Sequence, residues 1–181
     1  MKPPAYFPGT TVQISSTGLL EGIFNVTNGI TLSQVCEITG LEASTIQNWI
    51  KRGYVSPPVN RKYSKNHLGR IILISLFRGT FVIERVASLI SYVNGDLLDR
   101  SDDIMDDSDI YQCLCDVLIT SDNKVDVHGS HLQQKLDERL KTFQEPFPGA
   151  KNRLRLILEA LVYACLSAEY IKAANHLTKN I

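Results

Sequence analysis

The sequence predicts an all-α chain, on three observations. Apolar residues recur at helical spacing in segment after segment, as in Val82, Ile83, Val86, Leu89, Ile90 and Val93. Gly, Pro and Asn-Gly punctuation separates those segments. No convincing β pairing and no internal repeat is found. The 181 residues are 44% hydrophobic and 21% charged, enough for a packed core and inconsistent with wholesale disorder.

The elements follow in order. Residues 1–15 carry prolines, glycine and threonines without a helical period and read as an extended or partly ordered arm. Ser16 is the expected cap of a short helix through Val26, stopped by Asn28-Gly29. Thr31 and Gln34 form a capping box for a helix that Gly40 ends. Ala43 to Arg52 is a second helix, ended by Gly53. Ser64 caps Lys65 to Phe77, and Arg78-Gly79 breaks it. Thr80 to Val93 follows, closed by Asn94-Gly95. The stretch from Asp96 to Asp109 is acidic and turn-rich. Ile110 to Ile119 is helical, Ser121 to Lys124 is a turn, and Ser130 to Thr142 is helical. Pro146 to Gly149 is a break before one long helix from Lys151 to Lys179. The expected organisation is an arm and short helix over 1–29, a module over 30–95, and an acidic helical region over 96–181.

Charge separates the last two. The whole chain balances at 19 bases and 19 acids, yet residues 31–93 hold 8 bases against 3 acids and residues 94–181 hold 10 against 15. The basic residues from 51 to 70 fall where a nucleic-acid surface would need them. The alternative is a solvated surface with chance clustering.

Two short helices flanking Thr39-Gly40-Leu41 have helix-turn-helix form. On the second, Ala43, Ile46, Trp49 and Ile50 gather on one side and Ser44, Gln47, Asn48 and Lys51 on the other, with Arg52 at the edge. Gln and Asn can bond bidentately to an adenine edge, and Lys can meet guanine or phosphate. Ser44, near the helix N-terminus, suits phosphate. Arg61, Lys62 and the Tyr63 hydroxyl are placed to hold phosphates beside that helix; loop anchoring is the alternative for Tyr63. Trp49 reads as core, and His67 as a local partner of the Ser64 cap.

The segment from Thr31 to Pro58 resembles the N-terminal half of a MerR-type DNA-binding domain. Gly53-Tyr54, Pro57-Pro58, Arg61-Lys62-Tyr63-Ser64 and Leu68-x-x-Ile71 stand in the matching places, with the wing reduced to Val59–Lys62. The chain more closely resembles an uncharacterised bacterial family of small MerR-like helix-turn-helix proteins. The pattern is Thr45-Ile46-x-Asn48-Trp49-x-Lys51, then Pro57-Pro58-Val59-x-Arg61-Lys62-Tyr63-Ser64-x-x-His67-Leu68, then Ile71-Ile72-x-Ile74-Ser75-Leu76 and Asp102-Asp103-x-x-Asp106. The resemblance spans about residues 31–115. It implies a helix-turn-helix module with a rudimentary wing and a presumed role in transcription. It also implies a dimer joined by C-terminal helices.

Other constellations are weaker. Asp99, Asp102, Asp103, Asp106, Asp107 and Asp109 lack EF-hand spacing and read as a capping cluster on a solvated loop. Cys113-x-Cys115 with His128 and His131 is too tightly spaced for structural zinc. Cys36 and Cys165 read as small core residues. No phosphate loop, G-x-S-x-G or H-E-x-x-H occurs, so neither an enzyme nor a cofactor or metal is expected. In the last helix, Ile157, Leu161, Ala164, Ala168 and Ile171 recur at 4-3-4-3 spacing, which predicts a dimerisation seam; an internal core helix is the alternative. Four scattered cysteines, no leader-like segment and no long apolar run predict a cytoplasmic protein with no membrane partner. The expected function is sequence-specific binding of double-stranded DNA by a homodimer, helix 43–52 entering the major groove. The alternatives are an interaction module that lost DNA binding and a helical protein that binds a small-molecule effector in its C-terminal region.

Overall fold

The computed structural model describes residues 6–15, 18–95, 97, 101–121, 126, 128 and 131–179. Its helices are α1 (Leu19–Phe24), α2 (Leu32–Thr39), α3 (Ala43–Lys51), α4 (Lys65–Phe77), α5 (Ile83–Asn94), α6 (Asp107–Leu118), α7 (Leu132–Leu140) and α8 (Ala150–Thr178). The all-α expectation is met. Among the described residues, β structure is limited to three isolated antiparallel bridges.

Helix α4 is the axis of the packing. Its run from Leu68 to Ile74 is buried without interruption, and Phe77 follows. A helix that is buried on every side has no solvent-facing stripe. Accordingly α4 contacts α1, α5, α6 and α8. Gly69 makes the closest of these approaches possible. A Cβ there would lie 2.7 Å from the backbone N and Cα of Ser108, at the start of α6. The same junction is pinned by the Ser108 N–H, which donates to Asn66 Oδ1 at 3.0 Å.

Beside it lies a buried polar knot. Arg70, 7% exposed, donates through Nε to the Tyr54 carbonyl at 2.7 Å. Its Nη1 meets Asp107 Oδ2 at 3.1 Å. The other oxygen of Asp107 accepts from Asn94 Nδ2 at 3.0 Å. Four segments therefore meet here: the loop after α3, α4, the end of α5 and the start of α6. Burial pushes the Asp107 carboxyl above its usual range, while Arg70 and then Asn94 pull it down. Because its Nδ2 faces a carboxylate, the Asn94 amide has a fixed orientation. Its Oδ1 has no hydrogen-bond partner among the described residues and borders a cavity of about 40 Å³.

The knot corrects two sequence expectations. Arg70 is not part of a basic surface, and Asp107 is not on a solvated loop. Asp106 occupies the N-cap of α6 without a side-chain cap bond. Helix α6 starts before Ile110, with Asp107 and Asp109 in its first turn where the helix dipole favours acids. Helix α5 starts later than Thr80, since Val82 is extended and the Thr80 and Phe81 N–H groups both bond back to the Phe77 carbonyl.

Residues 6–15 form a closed turn rather than a loose arm. Tyr6 bridges Gln13, Phe7 is 3% exposed, and Tyr111 donates to the Pro8 carbonyl at 2.9 Å. The Thr11 N–H also donates to the Ile38 carbonyl at 2.9 Å, satisfying an acceptor that the end of α2 leaves free. The expected Ser16 cap lies outside the described residues, as does the turn at 122–124; α1 begins after Gly18.

In α8 the expected dimer seam faces inward. Ile157, Leu161 and Ala164 are 5%, 0% and 3% exposed and belong to the protein's own core. Ala168 is half-buried, and only Ile171 is exposed. That seam is therefore corrected to a core stripe. One cluster of buried residues runs from the arm through α8, so segments 30–95 and 96–181 share their core. No helix among the described residues is long and apolar enough to cross a membrane, and no group of three or more His, Cys, Asp or Glu among them could hold a metal ion.

Two outcomes are expected. Asp107→Leu strands a buried guanidinium and should cost about 3–5 kcal/mol in urea unfolding, whereas Arg70→Met with Asp107→Leu should recover part of that loss. Equal losses in both would refute the pairing as the source. Burial pushes the thiols up to about 11 for Cys113 and about 12 for Cys115 and Cys165. At neutral pH an aromatic disulfide reagent should thus reach only Cys36 in the native protein and all four thiols after denaturation.

Candidate functional site

The α2–α3 pair is built from strong local signals. Thr31 and Gln34 close the capping box of α2, the Thr31 N–H donating to Gln34 Oε1 at 2.9 Å. The turn requires Gly40, whose φ of 68° is left-handed. Thr39 Oγ1 donates to the Val35 carbonyl at 2.7 Å and accepts from the Leu41 N–H at 3.3 Å, fixing the exit from α2. Leu41 is buried at the turn.

On α3 the hydrophobic period sets the orientation. Ile46 and Trp49 are 0% and 3% exposed, and the Arg78 guanidinium stands 5.6 Å from the centre of the Trp49 ring. Ser44, Gln47, Asn48 and Lys51, at i, i+3, i+4 and i+7, are exposed or half-exposed on the opposite side. Four polar side chains thus line one free face of a nine-residue helix.

Residues 59–62 fold into a minimal hairpin. Val59 bridges Lys62, and the Lys62 N–H donates to the Val59 carbonyl at 2.8 Å. The two residues between, Asn60 and Arg61, have φ of 50° and 61°. Positive φ at both central positions is the mark of a type I′ turn, the tightest way to join two antiparallel strands. Val59 is 70% exposed, and Arg61 and Lys62 are exposed.

Both sides of the hairpin are anchored. Tyr63 pairs with Ile30, just before α2, through N–H to carbonyl bonds of 2.8 and 3.0 Å. His67 joins the two ends of the hairpin. Its Nδ1 accepts from the Ser64 N–H at 3.1 Å, completing a capping box for α4. Its Nε2 lies 3.2 Å from Ser56 Oγ and 3.3 Å from the Pro57 carbonyl. With Nδ1 accepting, Nε2 carries the proton and donates toward that pair.

The predicted site residues divide. Ser44, Gln47, Asn48, Lys51, Arg61 and Lys62 are on accessible ground, and Lys51, Arg61 and Lys62 have no ion pair among the described residues. Arg52 is diverted: its Nη2 bonds Glu84 Oε1 at 2.7 Å and its guanidinium stacks 4.9 Å from the Tyr54 ring centre. Hydrogen bonding to its own backbone N–H, and then Arg52, holds the Glu84 carboxyl below its usual range. Tyr63 is 3% exposed, with its phenol pushed up by burial, so it anchors the loop and does not reach a phosphate. Sequence reasoning missed the part His67 plays in joining the hairpin ends, for which the Ser64-x-x-His67 spacing was the available signal. Arg70 and Tyr54 carried no such local signal.

Residues 20–114 match a family described as a domain of unknown function, DUF1836. The chain belongs to this family. The matched segment contains the α2–α3 pair, the hairpin and the whole Arg70–Asn94–Asp107 knot, and it stops within α6. A protein of similar sequence is the uncharacterized protein YkrK of Bacillus subtilis (strain 168), 22% identical over 162 residues, which cover 84% of this chain and 70% of that one. No solved structure matches.

The hairpin anchor has a testable cost. His67→Ala should lose about 1 kcal/mol of stability through the α4 cap, while His67→Gln, which can complete the same box, should lose less. Denaturant midpoints that rank the two variants the other way would contradict the assignment.

Proposed function

We propose that the α2–α3 pair and its hairpin are a MerR-like helix-turn-helix module with a two-residue wing, that it binds duplex DNA with sequence preference, and that the protein regulates transcription. The observation that carries this reading is the free face of α3. Ser44, Gln47, Asn48 and Lys51 present donors and acceptors on one side of a helix whose other side is core. The diameter of an α-helix, about 10–12 Å, fits a major groove about 12 Å wide, and the nine residues of α3 run about 13 Å along it. In this reading Gln47 and Asn48 read base edges, Ser44 and Lys51 meet bases or phosphates, and Arg61 and Lys62 hold the backbone. Arg52 and Tyr63 are not in the contact set. The net charge of the whole chain, formally +0, leaves attraction to DNA to this local basic surface.

The test is selection of random duplex DNA by the purified protein, followed by anisotropy on the enriched site at several salt concentrations. The affinity should fall steeply with salt. Arg61→Ala with Lys62→Ala should weaken all duplexes alike and flatten the salt slope by about 1 for each phosphate no longer neutralised. Gln47→Ala with Asn48→Ala should instead relax sequence preference, by about 1–3 kcal/mol per base read. No enrichment, with binding confined to the non-specific range of about 10⁻⁴–10⁻⁶ M, would move the assignment to a protein-interaction module.

A further inference from the structure

Helix α8 carries a second apolar stripe that the bundle does not use. Its inner side, including Leu154, Leu158, Leu161 and Val162, is buried at 0–1% exposure. On the outer side Leu156, Tyr163, Tyr170 and Leu177 are 58%, 56%, 55% and 80% exposed. These four are spaced seven residues apart, the period of a coiled-coil seam. Four residues after each of the first three stand Ala160, Ser167 and Ala174, all small. Ile171, 53% exposed, flanks the row. From Tyr170 to Lys179 every residue is exposed, so this part of the helix extends past its own core. Tyr163, Ser167, Tyr170 and Ala174 also line a shallow groove of mainly apolar surface. Single exposed hydrophobic residues are ordinary, but a row repeating every seven residues with no charge in it is a contact surface.

We infer that this stripe pairs with the same stripe of a second copy, antiparallel. The pattern is self-complementary only in that sense. With Tyr170 set over Ser167 of the other copy, Tyr163 falls over Ala174 and Leu177 over Ala160. Each of these three large side chains thus lies on a small one, Leu156 lies beyond the paired stretch, and the two-fold axis makes every contact twice. Parallel pairing would stack tyrosine on tyrosine and leave gaps at the alanine and serine layers, which close packing penalises. The size fits as well. The four exposed side chains of the paired stretch, Tyr163, Tyr170, Ile171 and Leu177, offer roughly 500 Å² per copy, at ~200 Å² for a large side chain. A standard interface takes about 800 Å² from each partner, and the alanines, Ser167 and the stems of flanking residues supply the remainder. The pairing does not depend on DNA binding, and its failure leaves that reading untouched.

Sedimentation velocity of the full chain without DNA, over a wide concentration range, tests it. The protein should show a reversible monomer–dimer equilibrium. Tyr163→Lys with Tyr170→Lys, both at exposed positions, should raise the dimer dissociation constant at least about a hundredfold with helical circular dichroism unchanged. Orientation is read by oxidation: Tyr163→Cys with Ala174→Cys should give a covalent dimer, and Tyr163→Cys alone, whose two copies would lie about 16 Å apart along the helices, should not. A wild-type chain that stays monomeric overturns the pairing and leaves the stripe to another protein. A dimer that survives the lysine pair, or ready cross-linking through Tyr163→Cys alone, overturns it too.

Discussion

A guanidinium buried 16 residues beyond the loop it holds is the constraint on which the candidate site depends. Arg70 ties the carbonyl of Tyr54, just past α3, to the carboxylate of Asp107 at the head of α6. Removing both charges from water is costly, and their attraction offsets that cost only with good geometry and satisfied neighbours. Here Tyr54 and Asn94 supply the neighbours. The consequence is positional. The loop leaving α3 cannot shift without exposing or stranding a buried charge, so α3 is fixed relative to the α4–α6 core and its polar face stays outward. Gly69 belongs to the same arrangement, since any side chain there would push α6 away from α4.

What was legible in the sequence was mostly local and periodic. The polar face of α3, the capping box at Thr31, the left-handed Gly40 and the Ser64 cap all depend on residues within a turn of one another, and all stand in the structure. The internal side of Trp49 followed from the same period. What was not legible depended on distant partners. Arg70 looks like any other base in a basic segment until Asp107, 37 residues on, is found against it. Arg52 looks like a phosphate ligand until Glu84 takes it. Tyr63 has a hydroxyl that suits phosphate, but its backbone pairs with Ile30 and carries the ring inward.

Helix α8 shows the limit of periodicity most directly. It carries two apolar stripes, one through Ile157, Leu161 and Ala164 and one through Leu156, Tyr163 and Tyr170. Heptad spacing occurs in both. Only the packing of α4, α5, α6 and α7 against the first shows which stripe the protein consumes itself and which it leaves outside. The short Val59–Lys62 interval is a similar case: it reads in the sequence as a nearly absent wing, and in the structure two residues with positive φ close a hairpin there.

The proposed function makes one central claim, that the outer face of α3 and the 59–62 hairpin form a single surface for duplex DNA. Backbone amide shift mapping of the isotopically labelled protein, titrated with a short mixed-sequence duplex at low salt, tests it most directly. Perturbations should concentrate at Ser44, Gln47, Asn48, Lys51, Arg61 and Lys62, with the amides of the Arg70–Asp107 knot unmoved. Perturbations elsewhere with α3 silent, or none anywhere at millimolar duplex, would contradict it.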